Sequence, residues 1–381
     1  MFYKHRNPLK GGIKSMKKLL SFVLITLFVV SSFAFKVIMV TDVGGLGDKS
    51  FNDGAWAGVL MAERLLPNVE KKIIVSNEQT DYIPNLAQAA KEGDVVIGVG
   101  FMMADAIYNI ATQYPDVFFI GIDIDPSPDQ VIPKNLALYS FSEHEAGFLG
   151  GYVAASVTNS GILGFVGGQD LPPVKRYEIG YRAGVEAYNQ LHDANVKVIV
   201  GYTGTFEEPA KGKQMTLSQY GSGADIVFAC AGATGNGVID AAKETGMSFY
   251  NLPANAPLEQ VIDKYFEEGK GYFAIGVDVD QDYMAPGYVL LSITKKIDIA
   301  TYEGISNAQS PRYFQSGHKL MGIADDGVGI SPMKYTKGLV SNEILAELAY
   351  LQKLAKEGRI DIPSTEAELA TLDVSYIEFP F

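Results

Sequence analysis

A chain of 381 residues, 47% apolar and 20% charged, has material for two or three folded domains and too little charge to stay unfolded. Its formal charge of −13 argues against a nucleic-acid partner, because a surface that grips phosphates must be basic. One cysteine cannot form an internal disulfide, and Cys230 lies in the apolar run IVFACAG, where a buried thiol is the ordinary reading.

In chain order, Lys4, Arg6, Lys10, Lys14, Lys17 and Lys18 come first, then the apolar run 19–30 (LLSFVLITLFVV), then Ser31-Ser32-Phe33-Ala34. A basic region, a short apolar core and small residues two apart describe a secretory signal, with cleavage expected after Ala34. The core is shorter than the roughly 20 residues a spanning helix needs. Met16 heads a compact signal of the same form, so translation starts at Met1 or at Met16. Cleavage removes six cations and no acids, leaving a charge of −19. No cysteine follows the core to carry a lipid, and no other stretch is apolar enough over sufficient length to span a membrane. The expected product is a free periplasmic or otherwise extracytoplasmic protein.

Beyond the signal two textures alternate. Apolar, β-rich runs fall at 36–41, 71–75, 94–99, 117–122, 136–141, 162–166, 196–200, 225–230 and 272–277. Segments with apolar residues three and four apart lie at 56–66, 86–91, 103–114, 146–157, 177–191, 238–246, 258–268 and 343–357. Strands apolar on both faces and separated by helices predict parallel sheets in an α/β fold. Nine such strands are many for one sheet, so two similar lobes are expected, divided near residues 141–143.

Each candidate site lies where a strand ends: Asp42, Asp123, Thr203 to Phe206, Gly232 to Gly237, and Asp278. Open α/β sheets bind ligands at the carboxyl ends of their strands, so two facing lobes make a hinged cleft. The stretch 41–53 (TDVGGLGDKSFND) suits a phosphate, a metal or an uncharged polar ligand. Its glycine spacing matches neither phosphate fingerprint, Asp42 and Asp48 would repel an anion, and 232–237 (GATGNG) has no lysine. Asp42, Asp48, Asp123 and Asp125 supply hard oxygens for a cation, and a strand-end acid followed by Gly and Asp faintly resembles calcium-dependent nucleoside hydrolases. That makes an enzyme the rival class. Against it, 123–127 (DIDPS) lacks the glycine and distal glutamate of a calcium loop. His144 lies in Ser142-Glu143-His144-Glu145, where Ser142 and Glu145 fit a capping box, and after the expected cleavage only His192 and His318 remain besides it. Asp48 is assigned to capping the helix that follows it.

The stretches 41–53, 141–155 (FSEHEAGFLGGYVAA), 164–168 (GFVGG), 224–244 (ADIVFACAGATGNGVIDAAKE), 275–281 (IGVDVDQ) and 290–298 (LLSITKKID) follow one another in order. Together they resemble the basic-membrane-protein family, the purine-nucleoside-receptor type of ABC-transporter substrate-binding component, over about residues 36–300. The resemblance implies a type I periplasmic-binding fold of two Rossmann-like lobes. Lobe 1 is 35–141 with about 288–315 returning to it, and lobe 2 is 142–287 with about 316–358 returning. It implies a monomer that captures a purine nucleoside without cofactor, metal or catalysis and delivers it to a membrane permease. Carried over by motif, Asp42, Phe51, Asn52 and Asp123 come from the first lobe and Phe206 and Asp278 from the second, with Lys295 on the segment returning to the first. Phe51 and Phe206 would stack on the base. Asp123, Asn52 and Asp42 would meet its edge, and Asp278 with Lys295 the ribose. A sugar-binding protein of the same fold would use similar side chains. The sequence departs from the family in lacking the lipid-bearing cysteine, in an insertion at 248–271, and in a C-terminal extension at 359–381.

Overall fold

The computed structural model describes Met1, Phe2 and residues 34–381, so the expected signal segment lies outside the described residues except at its two ends. Twelve strands follow in chain order among the described residues: β1 (Phe35–Val40), β2 (Val69–Ile74), β3 (Val95–Val99), β4 (Phe118–Ile122), β5 (Leu136–Phe141), β6 (Ile162–Gly167), β7 (Lys197–Tyr202), β8 (Ile226–Cys230), β9 (Phe273–Asp278), β10 (Val289–Lys295), β11 (Gly317–Met321) and β12 (Val328–Ile330). They form two six-stranded sheets, ordered β11-β5-β4-β3-β1-β2 and β12-β10-β9-β8-β6-β7. The second order repeats the first strand for strand. Every pairing is parallel except β10 with β12.

The apolar runs lie in these sheets because parallel strands are covered on both faces. All of β3 (VVIGV) and β8 (IVFAC) is buried. Alternate side chains serve opposite layers: Val37, Met39, Val95 and Ile97 join one core cluster, while Ile38, Val40 and Val96 join another. The first sheet carries α1 (Phe51–Leu65) on one face and α2 (Tyr82–Glu92) and α3 (Ala104–Gln113) on the other. The second carries α4 (Glu143–Val157) and α5 (Pro172–His192) on one face and α6 (Pro209–Gly221) and α7 (Ala233–Tyr250) on the other. Helix α6 escapes the periodicity reading because PAKGKQMTLSQYG has few apolar residues.

Two expected returns are corrected by the strand pairing. Residues 289–295, expected in the first lobe, form β10, which pairs with β9 and β12 in the second sheet. The chain recrosses only after Lys295, where α9 (Ile297–Ala308) packs on α1. Residues 317–321, expected in the second lobe, form β11 beside β5 in the first sheet. The sequence hid both: GHKLM is a largely exposed edge strand and β12 spans only three residues. Three crossovers therefore join the lobes, after Phe141, Lys295 and Met321. Backbone bonds tie them together, from Ser142 N–H to the Met321 carbonyl (3.1 Å) and from Lys296 N–H to Gly327 (2.8 Å).

The insertion adds α8 (Leu258–Glu268), which packs on α7 through buried Val261 and sets the Tyr265 ring 5.6 Å from that of Phe273. The C-terminal extension straps the outer face of the second lobe. Gln190 Nε2 donates to the Leu372 carbonyl (2.9 Å), Val374 N–H donates back to Gln190 (2.9 Å), and Val374 and Ile377 are buried. Before it, α10 (Asn342–Lys356) lies on α4, and the short α11 (Glu366–Leu369) lies on α5.

Helices α4 and α5 touch backbone to backbone. A Cβ at Gly147 would stand 2.7 Å from the Tyr177 carbonyl oxygen, and one at Gly151 would overlap that of Tyr181. Backbone cannot swing aside as a side-chain tip can, and overpacking of this kind costs about 1–3 kcal/mol. Gly151→Ala should therefore lower the unfolding free energy measured in urea by that amount, whereas Gly221→Ala, at a site with open space for a Cβ, should leave it nearly unchanged.

Candidate functional site

The carboxyl ends of the two sheets face one another, and side chains bridge them. Ser50 Oγ donates to Asp278 Oδ2 (2.7 Å), Gln281 Nε2 to the Lys49 carbonyl (2.9 Å), and Asn236 Nδ2 to that of Asp48 (3.3 Å). Between the lobes lies a cavity of about 650 Å³, part of it open to solvent. Asp42, Phe51, Asn52, Asp123, Phe206, Asp278 and Lys295 all line it.

Asp123 follows β4 and Asp278 ends β9, the strands at equivalent places in the two sheets, within the similar stretches FFIGIDID and FAIGVDVD. Both residues have left-handed backbone, φ 65° and 66°, a conformation that costs a non-glycine residue energy and collects at functional sites. Their carboxylates meet at one cation. Lys295 Nζ lies 3.0 Å from Asp123, 3.4 Å from Glu143 and 3.7 Å from Asp278. The rings of Phe51, Phe141 and Tyr177 surround it, with centroids at 4.9, 5.4 and 5.6 Å. Burial pulls its pKa down, but Asp123, Asp278 and Glu143 outweigh that and hold the ammonium above the ordinary lysine value. Burial likewise raises the pKa of Glu143 and Asp278, against the pull of Lys295 on both. Lys295 thus stands beside Asp278 on the second lobe, not opposite it as expected. The acid it grips across the cleft is Asp123.

Arg176 extends the cluster, bonding Glu143 through Nε (2.6 Å) and Asp125 through Nη1 (3.0 Å). Glu143 heads α4, while Arg176 and Tyr177 lie in the first turns of α5, so the tight α4–α5 crossing sets this part of the site. Tyr177 Oη donates to Asp278 (3.4 Å). Sequence reading missed Glu143, Arg176 and Tyr177 as site residues, since no local motif marks them and only the crossing brings them together.

On the first lobe Asp48 accepts the N–H groups of Ser50, Asn52 and Asp53 at 2.8–3.1 Å, capping α1 as its position predicts. Asp42 Oδ1 accepts from Gly44 N–H (2.9 Å) and Asn52 Nδ2 (2.8 Å), and burial lifts its pKa to about 6. Asn52 Oδ1 and Asp123 Oδ1 are buried without a partner among the described residues. Phe206 rests against Gly168 and Gly232, and a Cβ at Gly168 would overlap its ring.

The described histidines, His144, His192 and His318, stand apart from the cavity. Ser140 Oγ (2.6 Å) and Asp125 Oδ1 (3.6 Å) both meet Nε2 of His318, so the three cannot form a relay through the ring. Burial lowers the pKa of His144 to about 4, which keeps it neutral. The expected capping box at Ser142 does not form, because Glu145 turns to accept Ile323 N–H (2.5 Å) across the crossover. His192 bonds Tyr152 and Glu347, each at 3.0 Å, on the outer face of the second lobe.

Residues 35–366 match the Bmp family, described as ABC transporter substrate-binding protein, PnrA-like. The chain is 32% identical over 345 residues to the CD4+ T-cell-stimulating antigen of Listeria monocytogenes, covering 87% of this chain and 89% of that protein. It is 28% identical over 342 residues to the ABC transporter nucleoside-binding protein BmpA of Lactococcus lactis, covering 86% and 89%. The crystal structure of an ABC transporter solute-binding protein from Aeropyrum pernix superposes with a TM-score of 0.74 at 26% identity, covering 88% and 96%. With two parallel lobes closing on one cavity, and the match running nearly end to end, the chain belongs to the Bmp family of ABC transporter substrate-binding proteins.

Proposed function

We propose that this protein captures a purine nucleoside outside the cytoplasm and delivers it to its permease, binding without catalysis. The observation that carries this is the make-up of the cavity, which pairs an aromatic ring from each lobe with a buried lysine–carboxylate cluster. A base is flat and apolar on its faces, which suits Phe51 and Phe206. Ribose hydroxyls both donate and accept, which suits Asp278 and Lys295. The nucleoside-binding relative in Lactococcus lactis supports the same ligand class. Several relatives are named lipoproteins, but Cys230, the one cysteine of this chain, is buried at the end of β8. We therefore infer export by the N-terminal segment followed by cleavage. The calcium-hydrolase reading finds little support, since Asp123 already faces Lys295, Asp125 faces Arg176, and Asp48 caps a helix.

Thermal-shift measurements with nucleosides, free bases and sugars, with and without calcium, test the assignment. Purine nucleosides should stabilise the protein without metal, by about 2.7 kcal/mol at a hundredfold excess over Kd. Stabilisation by sugars alone, or calcium-dependent release of the base, would overturn it. Phe51→Ala and Phe206→Ala should each weaken nucleosides while the free protein stays folded, despite the packing contacts each ring gives up. Full affinity in either variant would show that the ring only packs the lobe.

Asp278 separates nucleoside from base. A bond to a charged group contributes roughly 1.5–3 kcal/mol, so losing one should weaken a nucleoside about ten- to a hundredfold. In calorimetry, Asp278→Ala also removes the Ser50 bridge, which affects nucleoside and base alike. The difference between the two ligands therefore isolates the ribose contact. Equal losses would confine Asp278 to holding the lobes closed.

A further inference from the structure

Taking the nucleoside reading as its basis, we infer that the first-lobe wall of the cleft selects the base by its N–H donors. A 6-oxopurine with N1–H is preferred to adenine, and guanine, which adds a 2-amino group, is preferred most.

The argument starts from Asn52, buried in the first turn of α1 and lining the cavity. Its Nδ2 faces two carboxylate oxygens, Asp42 Oδ1 at 2.8 Å and Asp48 Oδ2 at 3.3 Å. An amide oxygen cannot face two carboxylates, so the orientation of the amide is settled by its neighbours. Both amide hydrogens then serve the protein, and Oδ1 is left buried with no partner among the described residues. A buried carbonyl in that state is an acceptor waiting for a donor.

Asp42 repeats the pattern beside it. Its Oδ1 takes Gly44 N–H and Asn52 Nδ2, while its Oδ2 accepts no hydrogen bond from the described residues. Gly100, at φ 114°, lets the backbone close against this oxygen, where a Cβ would stand 3.0 Å away. Asp48 is saturated by the helix it caps. The other first-lobe side chains on the cavity, Phe51, Phe101, Met102 and Asp123, offer no N–H or hydroxyl, and Asp123 Oδ1 is a further unpartnered acceptor. The wall therefore holds buried, unpartnered acceptors on Asn52 and Asp123 and no free side-chain donor.

A ligand edge that fits such a wall carries hydrogens. Guanine offers N1–H and the 2-amino group side by side, and hypoxanthine offers N1–H. Adenine places the bare lone pair of N1 against a carboxylate and can offer only its 6-amino group. A site built from buried acceptors rejects an analogue that leaves them unpaired.

Calorimetry on the unmodified protein tests this at pH 8, where Asp42, with a pKa lifted to about 6 by burial, is ionised. Guanosine should bind tightest, with inosine next. Adenosine and 1-methylguanosine, which lacks the N1 hydrogen but keeps ribose and 2-amino group, should bind about ten- to a hundredfold more weakly. Asp42→Asn exchanges an acceptor for an amide able to donate and should raise the affinity for adenosine relative to guanosine. The ligand series needs no variant, so poor folding of Asp42→Asn would not spare the proposal. Equal affinities for guanosine, adenosine and 1-methylguanosine would overturn it while leaving the nucleoside reading intact. Failure of all four ligands to bind would overturn both.

Discussion

The interaction on which the site depends is the buried ammonium of Lys295 among Asp123, Glu143 and Asp278. Its three acids come from three parts of the fold: the end of a first-lobe strand, the crossover helix α4, and a second-lobe strand. Removing charges from water costs several kcal/mol per ion, and only close, mutually satisfying partners offset it. The cluster is therefore stable only with the lobes and the crossover in their present relation. The same side chains that line the cavity thus also hold the two lobes together.

The cluster in turn rests on two features of the backbone. One is the repeated strand order, which brings Asp123 and Asp278 to corresponding sheet ends in the same left-handed conformation. The other is the glycine-lined contact of α4 with α5, which lets the helices approach until Glu143, Arg176 and Tyr177 share one corner of the cleft. Each sets where the polar groups stand, to within the few tenths of an ångström that hydrogen bonding allows.

Much of the fold was readable in the chain because buried parallel strands need apolar residues on both faces, and the nine apolar runs lie in β1 to β9. The strands that escaped, β10 to β12, did so for particular reasons. LLSITK is apolar enough, but its placement depends on a partner strand, β9, and not on its own pattern. GHKLM and VGI are an exposed edge and a three-residue piece, which carry little hydrophobic signal.

For the site, local chemistry marked the strand-end acids and the cap at Asp48, because strand ends and helix starts impose requirements that a few adjacent residues reveal, whereas the two phenylalanines came from the family resemblance. The sequence by itself determined the α/β class, the two-lobed repeat, the family resemblance and seven of the residues that line the cavity. Only the tertiary structure decided that Lys295 belongs to the second sheet beside Asp278, that Glu143, Arg176 and Tyr177 complete the cluster, and that Asn52 turns its oxygen away from the acids its nitrogen serves. The reason is physical. Burial, ion pairing and the orientation of an amide depend on atoms distant in the chain, and local pattern carries no record of which of them will meet.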